Sequence, residues 1–206
     1  LDVGGDIRKA DGEPVLFNIG GHIGRLTASS IAADITLSST GVVHILQTNT
    51  GDFKGSLNAR ALAEFTGQPG TPRFQIARDL DASLTLTSDI RVPVTVGRHF
   101  TRERTVGGVQ VPNVVWSSRG LYDTNLSLPP GGFSIAGDLD GTLDMGTPNN
   151  ATRGSINRDI TIGGAMLGNI LTDRDIAANV LVNGPVLGTI NIGGSVNPGT
   201  MISVGG

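Results

Sequence analysis

Three carboxylates fall within seven residues at Asp138-Leu139-Asp140-Gly141-Thr142-Leu143-Asp144, just after the apolar run Phe133-Ser134-Ile135-Ala136. Carboxylate oxygens are hard ligands, and calcium accepts six to eight of them in irregular loops, so Asp138, Asp140 and Asp144 are the candidate metal ligands and calcium the candidate ion. The string lacks the glutamate and spacing of a helix-loop-helix calcium site, and no Gly-Gly-x-Gly-x-Asp array accompanies it. The competing expectation is that these are solvated turn carboxylates, as are Asp173 and Asp175 around Arg174. His22, His44 and His99 are scattered and there is no Cys, which leaves no convincing zinc set. A Gly-x-Ser-x-Gly elbow and a Gly-x-x-x-x-Gly-Lys phosphate loop are both absent. No catalytic constellation emerges, and the expectation is a protein that is not an enzyme and needs no cofactor, calcium being the one to test.

A second cluster has the chemistry of recognition. Arg102, Arg104, Trp116, Arg119 and Tyr122 include the single Trp and single Tyr of the chain, and Trp, Tyr and Arg are the usual anchors of binding surfaces. The alternative is that Trp116 packs as a plug beneath its own loop. A general affinity for nucleic acid is not expected, because the net charge is −3 and two of the fifteen cations are Lys (Lys9 and Lys54). No apolar run reaches the roughly 18 residues that span a bilayer as a helix. The chain starts at Leu1 rather than Met, as expected of a processed or excised polypeptide.

Whatever these residues do, a recurring unit must position them. It consists of a β-branched or aliphatic residue, two small residues, one variable residue and another aliphatic. Copies stand at Val3-Gly4-Gly5-Asp6-Ile7, Ile19-Gly20-Gly21-His22-Ile23, Ile31-Ala32-Ala33-Asp34-Ile35, Ile135-Ala136-Gly137-Asp138-Leu139, Ile162-Gly163-Gly164-Ala165-Met166, Ile176-Ala177-Ala178-Asn179-Val180 and Ile192-Gly193-Gly194-Ser195-Val196. Val204-Gly205-Gly206 opens another. Ile and Val favour half-buried strands, and paired small residues allow a corner with close backbone approach. Gly at 31 residues and aromatics at 4% fit thin aliphatic layers better than a bulky core. The expected fold is all-β: a single parallel β-helix-like β-solenoid over 1–206, with about 20 to 25 residues per coil and a rod of roughly 40 to 50 Å. The alternative is an antiparallel β-sandwich with Gly in its hairpin turns. Residues 56–66 suggest a short helix from their Ala, Leu, Arg and Glu content. Residues 97–132 lose the repeat and are expected to form an inserted loop or hairpin.

Two resemblances follow. The string Asp138 to Asp144 is similar to the nucleophile motif of haloacid-dehalogenase-like phosphatases, in which one Asp attacks phosphorus and the second handles the leaving-group proton. That family also needs a downstream Lys, and none follows Lys54. The recurrent IGGxI, IAADI, IAGDL and INIGGSV strings over 1–46 and 133–206 resemble Gly-rich β-strand repeats of large secreted bacterial surface proteins, the adhesin and autotransporter-passenger solenoids. The resemblance implies an extracellular or cell-surface structural role as a filament, stalk or adhesin shaft.

Neither end of the chain carries a polar cap, so Val3, Gly4, Gly5, Val204, Gly205 and Gly206 are the expected assembly ends. The expected partners are further repeats of the same chain or other copies head to tail. Surface glycans are the alternative partner, bound or cleaved on a β-helix. Cleavage would require two carboxyls facing each other across a cleft.

Overall fold

The computed structural model describes residues 1–64, 67–88, 90–100, 104–106, 109–111, 115–117, 132–145 and 155–205. Among these the protein is all-β, with no helix, and the chain passes back and forth between two parallel sheets. The first sheet contains β1 (Val15–Ile19), β3 (Ile31–Leu37), β5 (Phe53–Ala59), β8 (Leu80–Leu86), β12 (Val115–Ser117), β14 (Thr142–Asp144), β16 (Ile170–Thr172) and β18 (Ile190–Ile192), hydrogen-bonded in that order. The second contains β2 (Ile23–Ala28), β4 (Val42–Thr48), β7 (Arg73–Ile76), β9 (Val94–Val96), β13 (Phe133–Ile135), β15 (Ile160–Ile162), β17 (Val180–Val182) and β19 (Ile202–Val204), also in chain order. The short β6 (Ala61–Leu62) adds to β4. β10 (Arg104–Val106) and β11 (Val109–Val111) form a separate antiparallel hairpin.

Each strand pairs with the next strand of its own sheet, one circuit further along the chain, and like residues consequently stack in columns. One column runs Ile7, Ile31, Phe53, Leu80, Phe100, Leu139, Met166, Val186 at the corner where the chain leaves the second sheet for the first. Another runs Phe74, Val94, Phe133, Ile160, Val180, Ile202 down the second sheet. Most of these side chains are fully buried and belong to one continuous apolar core between the sheets. In the C-terminal circuits the strands shrink to three residues with inward, outward, inward side chains, and equivalent residues lie 20 apart. Among the earlier strands of seven residues the circuits vary, with 22 residues from Ile31 to Phe53 and 27 from Phe53 to Leu80. Phe53 against Phe74 and Phe100 against Phe133, at 6.1 and 6.2 Å between ring centroids, fill the interior between the sheets.

Three sequence expectations change. Residues 56–66 hold no helix among the described residues: 53–59 is β5, and Ser56, Leu57 and Asn58 pair in register with Asp34, Ile35 and Thr36. Cross-strand pairing overrides the local helix preference of Ala and Leu. The antiparallel sandwich is replaced by parallel pairing, in every described pair except β10 with β11. The segment 97–132 does contain a hairpin, yet it is not wholly an excursion, because β12 returns to the first sheet between Leu84 and Leu143.

The Gly-Gly pairs at 4–5, 20–21, 163–164 and 193–194 sit at bends, as the sequence suggested, whereas Ala32 and Ala33 lie within β3 and pair in its ladder. The main service of the glycines is close approach rather than unusual backbone angles. A Cβ built on Gly163, Gly168 or Gly188 would land inside the contact distance of the carbonyl oxygen of Ala136, Gly141 or Gly168 in the preceding circuit, whereas one on Gly20 meets nothing within 4 Å. Gly188→Ala is therefore expected to lower stability by about 1–3 kcal/mol, the usual cost of overpacking. Gly20→Ala should change it by less than about 0.5 kcal/mol, as a surface substitution does. Urea denaturation of the two variants compares them directly.

Candidate functional site

The acidic string lies on a flank where the chain leaves the second sheet. Parallel ladders end at each corner, and the backbone N–H that begins the next segment needs an acceptor. A side chain in the preceding circuit supplies it. Asp52 Oδ1 accepts from Asp79 N at 3.2 Å, Asp79 Oδ1 from His99 N at 3.1 Å, His99 Nδ1 from Asp138 N at 3.1 Å, and Asp138 Oδ1 from Ala165 N at 2.8 Å. The relay ends where Ala165 offers no acceptor and the next residue in the column, Pro185, has no N–H to satisfy. Other corners use the same device: Asp159 with Asn179, Asn169 with Thr189, Asp175 with Ser195, and Asn179 with Met201.

Charge accumulates along this corner. Arg98 Nε donates to Asp79 Oδ1 at 2.8 Å while its Nη2 binds Oδ2. Lys54 and Arg78 flank Asp52 at 3.5 and 3.9 Å, and His99 Nδ1 lies 3.3 Å from Asp138 Oδ2. Burial alone raises the Asp79 carboxyl. The Arg98 hydrogen bond, the His99 backbone N–H and the positive charge of Arg98 outweigh it and hold the group below the ordinary carboxylate range. The Arg98 guanidinium is raised in turn, first by that hydrogen bond and then by the charge of Asp79.

The three candidate calcium ligands are placed differently from one another. Asp138 caps the corner, Asp140 follows the fully buried Leu139 with its N–H bonded to Phe100 O, and Asp144 ends β14 in the other sheet. Among the described residues no group of three or more His, Asp or Glu is arranged to hold a metal ion. Of the recognition cluster, Arg102, Arg119 and Tyr122 lie outside the described residues. Arg104 is on β10, and Trp116 occupies a β12 position in register with the buried Leu84 and Leu143. The candidate assembly residues Val3, Gly4, Gly5, Val204 and Gly205 belong to the two terminal circuits, while Gly206 lies outside the described residues.

A groove of about 460 Å³ runs across three stacked corners and is lined by Asn157, Arg158, Asp159, Asn179 and Thr200. Asp159 is the one carboxylate in that lining, and its Oδ1 already accepts the Asn179 N–H. A cavity of about 420 Å³ lies in the first two circuits, with Phe17, Ile19, Ile23, Leu26 and Ile35 in its wall. Sequence reasoning identified Asp138 but not its partners, since the offsets linking Asp52, Asp79, His99, Asp138 and Ala165 are 27, 20, 39 and 27 residues. The available signal is an Asp, Asn or His directly before the aliphatic that closes the unit.

Comparisons with protein-family models, curated proteins and solved structures returned no match.

The relay carries two expectations. Asp138→Ala removes the acceptor for Ala165 N and should cost about 1 kcal/mol, whereas Asp138→Asn keeps an oxygen in place and should recover most of it; chemical denaturation separates the two. A carboxyl lower in the folded than in the unfolded chain contributes stability that is present above the unfolded value and lost as pH falls through the folded one. Melting temperature should therefore drop as pH falls below about 4, the ordinary Asp range, and Arg98→Ala should make that drop shallower.

Proposed function

We propose that the chain is a β-solenoid and serves as a non-enzymatic structural shaft, a rod-like segment of an extracellular filament, stalk or adhesin. The single observation that supports this most is an uninterrupted register. Asp2, Thr27, Gln47, Gln75, Thr95, Ser134, Thr161, Leu181 and Ser203 follow one another, strand by strand, from the first circuit to the last. The corner carboxylates Asp52, Asp79, Asp138, Asp159 and Asp175 favour the same reading, because each accepts a backbone N–H of the next circuit rather than converging with the others on a reacting atom. No cofactor is called for. The cell exterior as the place of action rests on the likeness of the Gly-rich repeats to those of secreted surface proteins.

In a shaft of this type each circuit covers the apolar side of the one before it. Ile202 and Val204 stack on the fully buried Val180 and Val182, yet they are 38% and 51% exposed. At the other end Val15, Phe17 and Ile19 are half-buried. Sheet edges of this kind recruit further strands unless covered.

Eight strands per sheet at a spacing of about 4.8 Å give a particle roughly 35–40 Å along its axis. Small-angle scattering should return an elongated particle. The amide I infrared spectrum should lack a strong antiparallel component. A compact particle with a dominant antiparallel band would overturn the solenoid reading.

A further inference from the structure

We propose that the flank groove across the corners at 157–159, 177–179 and 198–200 binds a short neutral saccharide laid along the axis of the stack. The site lies on the side of the shaft and depends on neither end of it. It gives a definite place to the glycan partner that the sequence offered only as an alternative.

The groove arises from unequal corners. Residues 157–159 join Ile156 to Ile160 and 177–179 join Ile176 to Val180, whereas the next corner, between Val196 and Ile202, takes the longer run 197–201. The surplus forms a turn, in which Thr200 N donates to Asn197 O at 3.1 Å and Gly199 adopts a φ of +83°. Thr200 Oγ1 donates back to Ile176 O at 3.3 Å, which ties the turn to the preceding circuit. The turn 198–200 thus forms one wall and 157–159 the other, with Ala177 and Ala178 as the low floor between them. Small side chains on the middle circuit leave about 460 Å³ open, within the range of roughly 300–1,000 Å³ found for small-ligand sites.

The chemistry of the lining selects among ligands. Among its described residues Arg158 is the one cation and Asp159 the one carboxylate, so their formal charges cancel. One carboxylate makes no site for a hard cation, and one arginine is a poor match for a polyanion. Pro198 and the two alanines are the apolar part, too little to hold a lipid or the anchors of an amphipathic peptide. A peptide strand finds no open ladder, since Ala177 N, Asn179 N, Asn197 N and Met201 N already donate to Ile156 O, Asp159 Oδ1, Ile176 O and Asn179 Oδ1. What the groove does offer is side-chain donors and acceptors: the Asn157 amide, the Arg158 guanidinium, the second oxygen of Asp159 and the amide nitrogen of Asn179. Sugar hydroxyls both donate and accept, and planar amide, guanidinium and carboxylate groups meet neighbouring hydroxyls two at a time. Arg158 is half-buried with its Nε enclosed, which fixes the plane of the guanidinium before a ligand arrives. Circuits about 4.8 Å apart repeat at close to the length of one pyranose unit, so three stacked corners suit a trisaccharide.

The test titrates maltotriose, cellotriose, xylotriose and mannotriose, with trigalacturonate as the charged control, into the isotope-labelled 206-residue chain and follows backbone amide shifts by NMR. At least one neutral trisaccharide at millimolar concentration should move the signals of residues 157–159, 177–179 and 199–200. Ala177→Tyr places a ring on the exposed floor, so circular dichroism and melting should match the unaltered protein while binding falls by about tenfold or more, as for an overpacked contact. Asn157→Ala should weaken binding by about three- to tenfold, the range of one lost hydrogen bond. Four silent neutral sugars, shifts that fall outside the groove, a response to trigalacturonate alone, or folded variants that bind as before overturn the saccharide site and leave the shaft reading standing.

Discussion

Everything in this fold follows from one requirement: each circuit of backbone must lie about 4.8 Å from the one before it, along strands and around corners alike. In a strand the hydrogen-bond ladder meets that requirement for any side chain that fits the face. At a corner the ladder breaks, and two problems arise together. Bulk must be kept out of the gap between stacked carbonyls, and the N–H groups that lose their ladder partners need acceptors. Gly163, Gly168 and Gly188 answer the first problem. Asp79, His99, Asp138, Asp159, Asn169, Asp175 and Asn179 answer the second. The small pair followed by an acidic or amide residue and an aliphatic is thus a corner specification, with each position selected by a separate physical need.

This explains why the densest carboxylate string in the chain is a poor guide to chemistry. Asp138 reads as a nucleophile or a metal ligand when its neighbours in sequence are all that can be seen. In the fold its neighbours are His99, 39 positions earlier, and Ala165, 27 positions later. One oxygen is committed to a backbone donor and the other lies near an imidazole. The ending of the relay supports the same account, since Ala165 without an acceptor is followed in the column by Pro185 without a donor. A ligand set would give no reason for those two substitutions to coincide, whereas backbone satisfaction does.

The all-β class and the corner role of the Gly-Gly pairs were legible because they depend on local pattern, β-branched residues around two glycines; the copies recur at uneven intervals of 12 to 27 residues within each repeat-bearing stretch, so the 20 residues that separate Asp159 from Asn179 were not given by their spacing. Parallel pairing was legible only through the repeat, since a hairpin tip and a solenoid corner have the same composition. The false helix at 56–66 shows where local pattern fails. Ala59 and Ala61 are good helix formers, but both are buried in strands, and Leu57 pairs with Ile35 and Leu84. Register over more than 20 residues outweighs a propensity difference of tenths of a kcal/mol per residue. The corner relay was not legible, because its members are related across circuits of unequal length.

Unequal circuits also bear on where the fold admits extra chain. A stacked fold tolerates extra chain only at corners, where an insertion leaves both neighbouring ladders intact. The circuit from His99 to Asp138 is 39 residues long against 20 in the regular region, and the hairpin β10–β11 falls within it. The chain nevertheless returns to the first sheet at β12 in register with β8 and β14, so the insertion is divided around a preserved strand. The residues richest in Arg and aromatic character are thereby concentrated in the circuit whose length the ladder does not constrain, and the uncharged C-terminal circuits keep the narrow, even geometry that stacking requires.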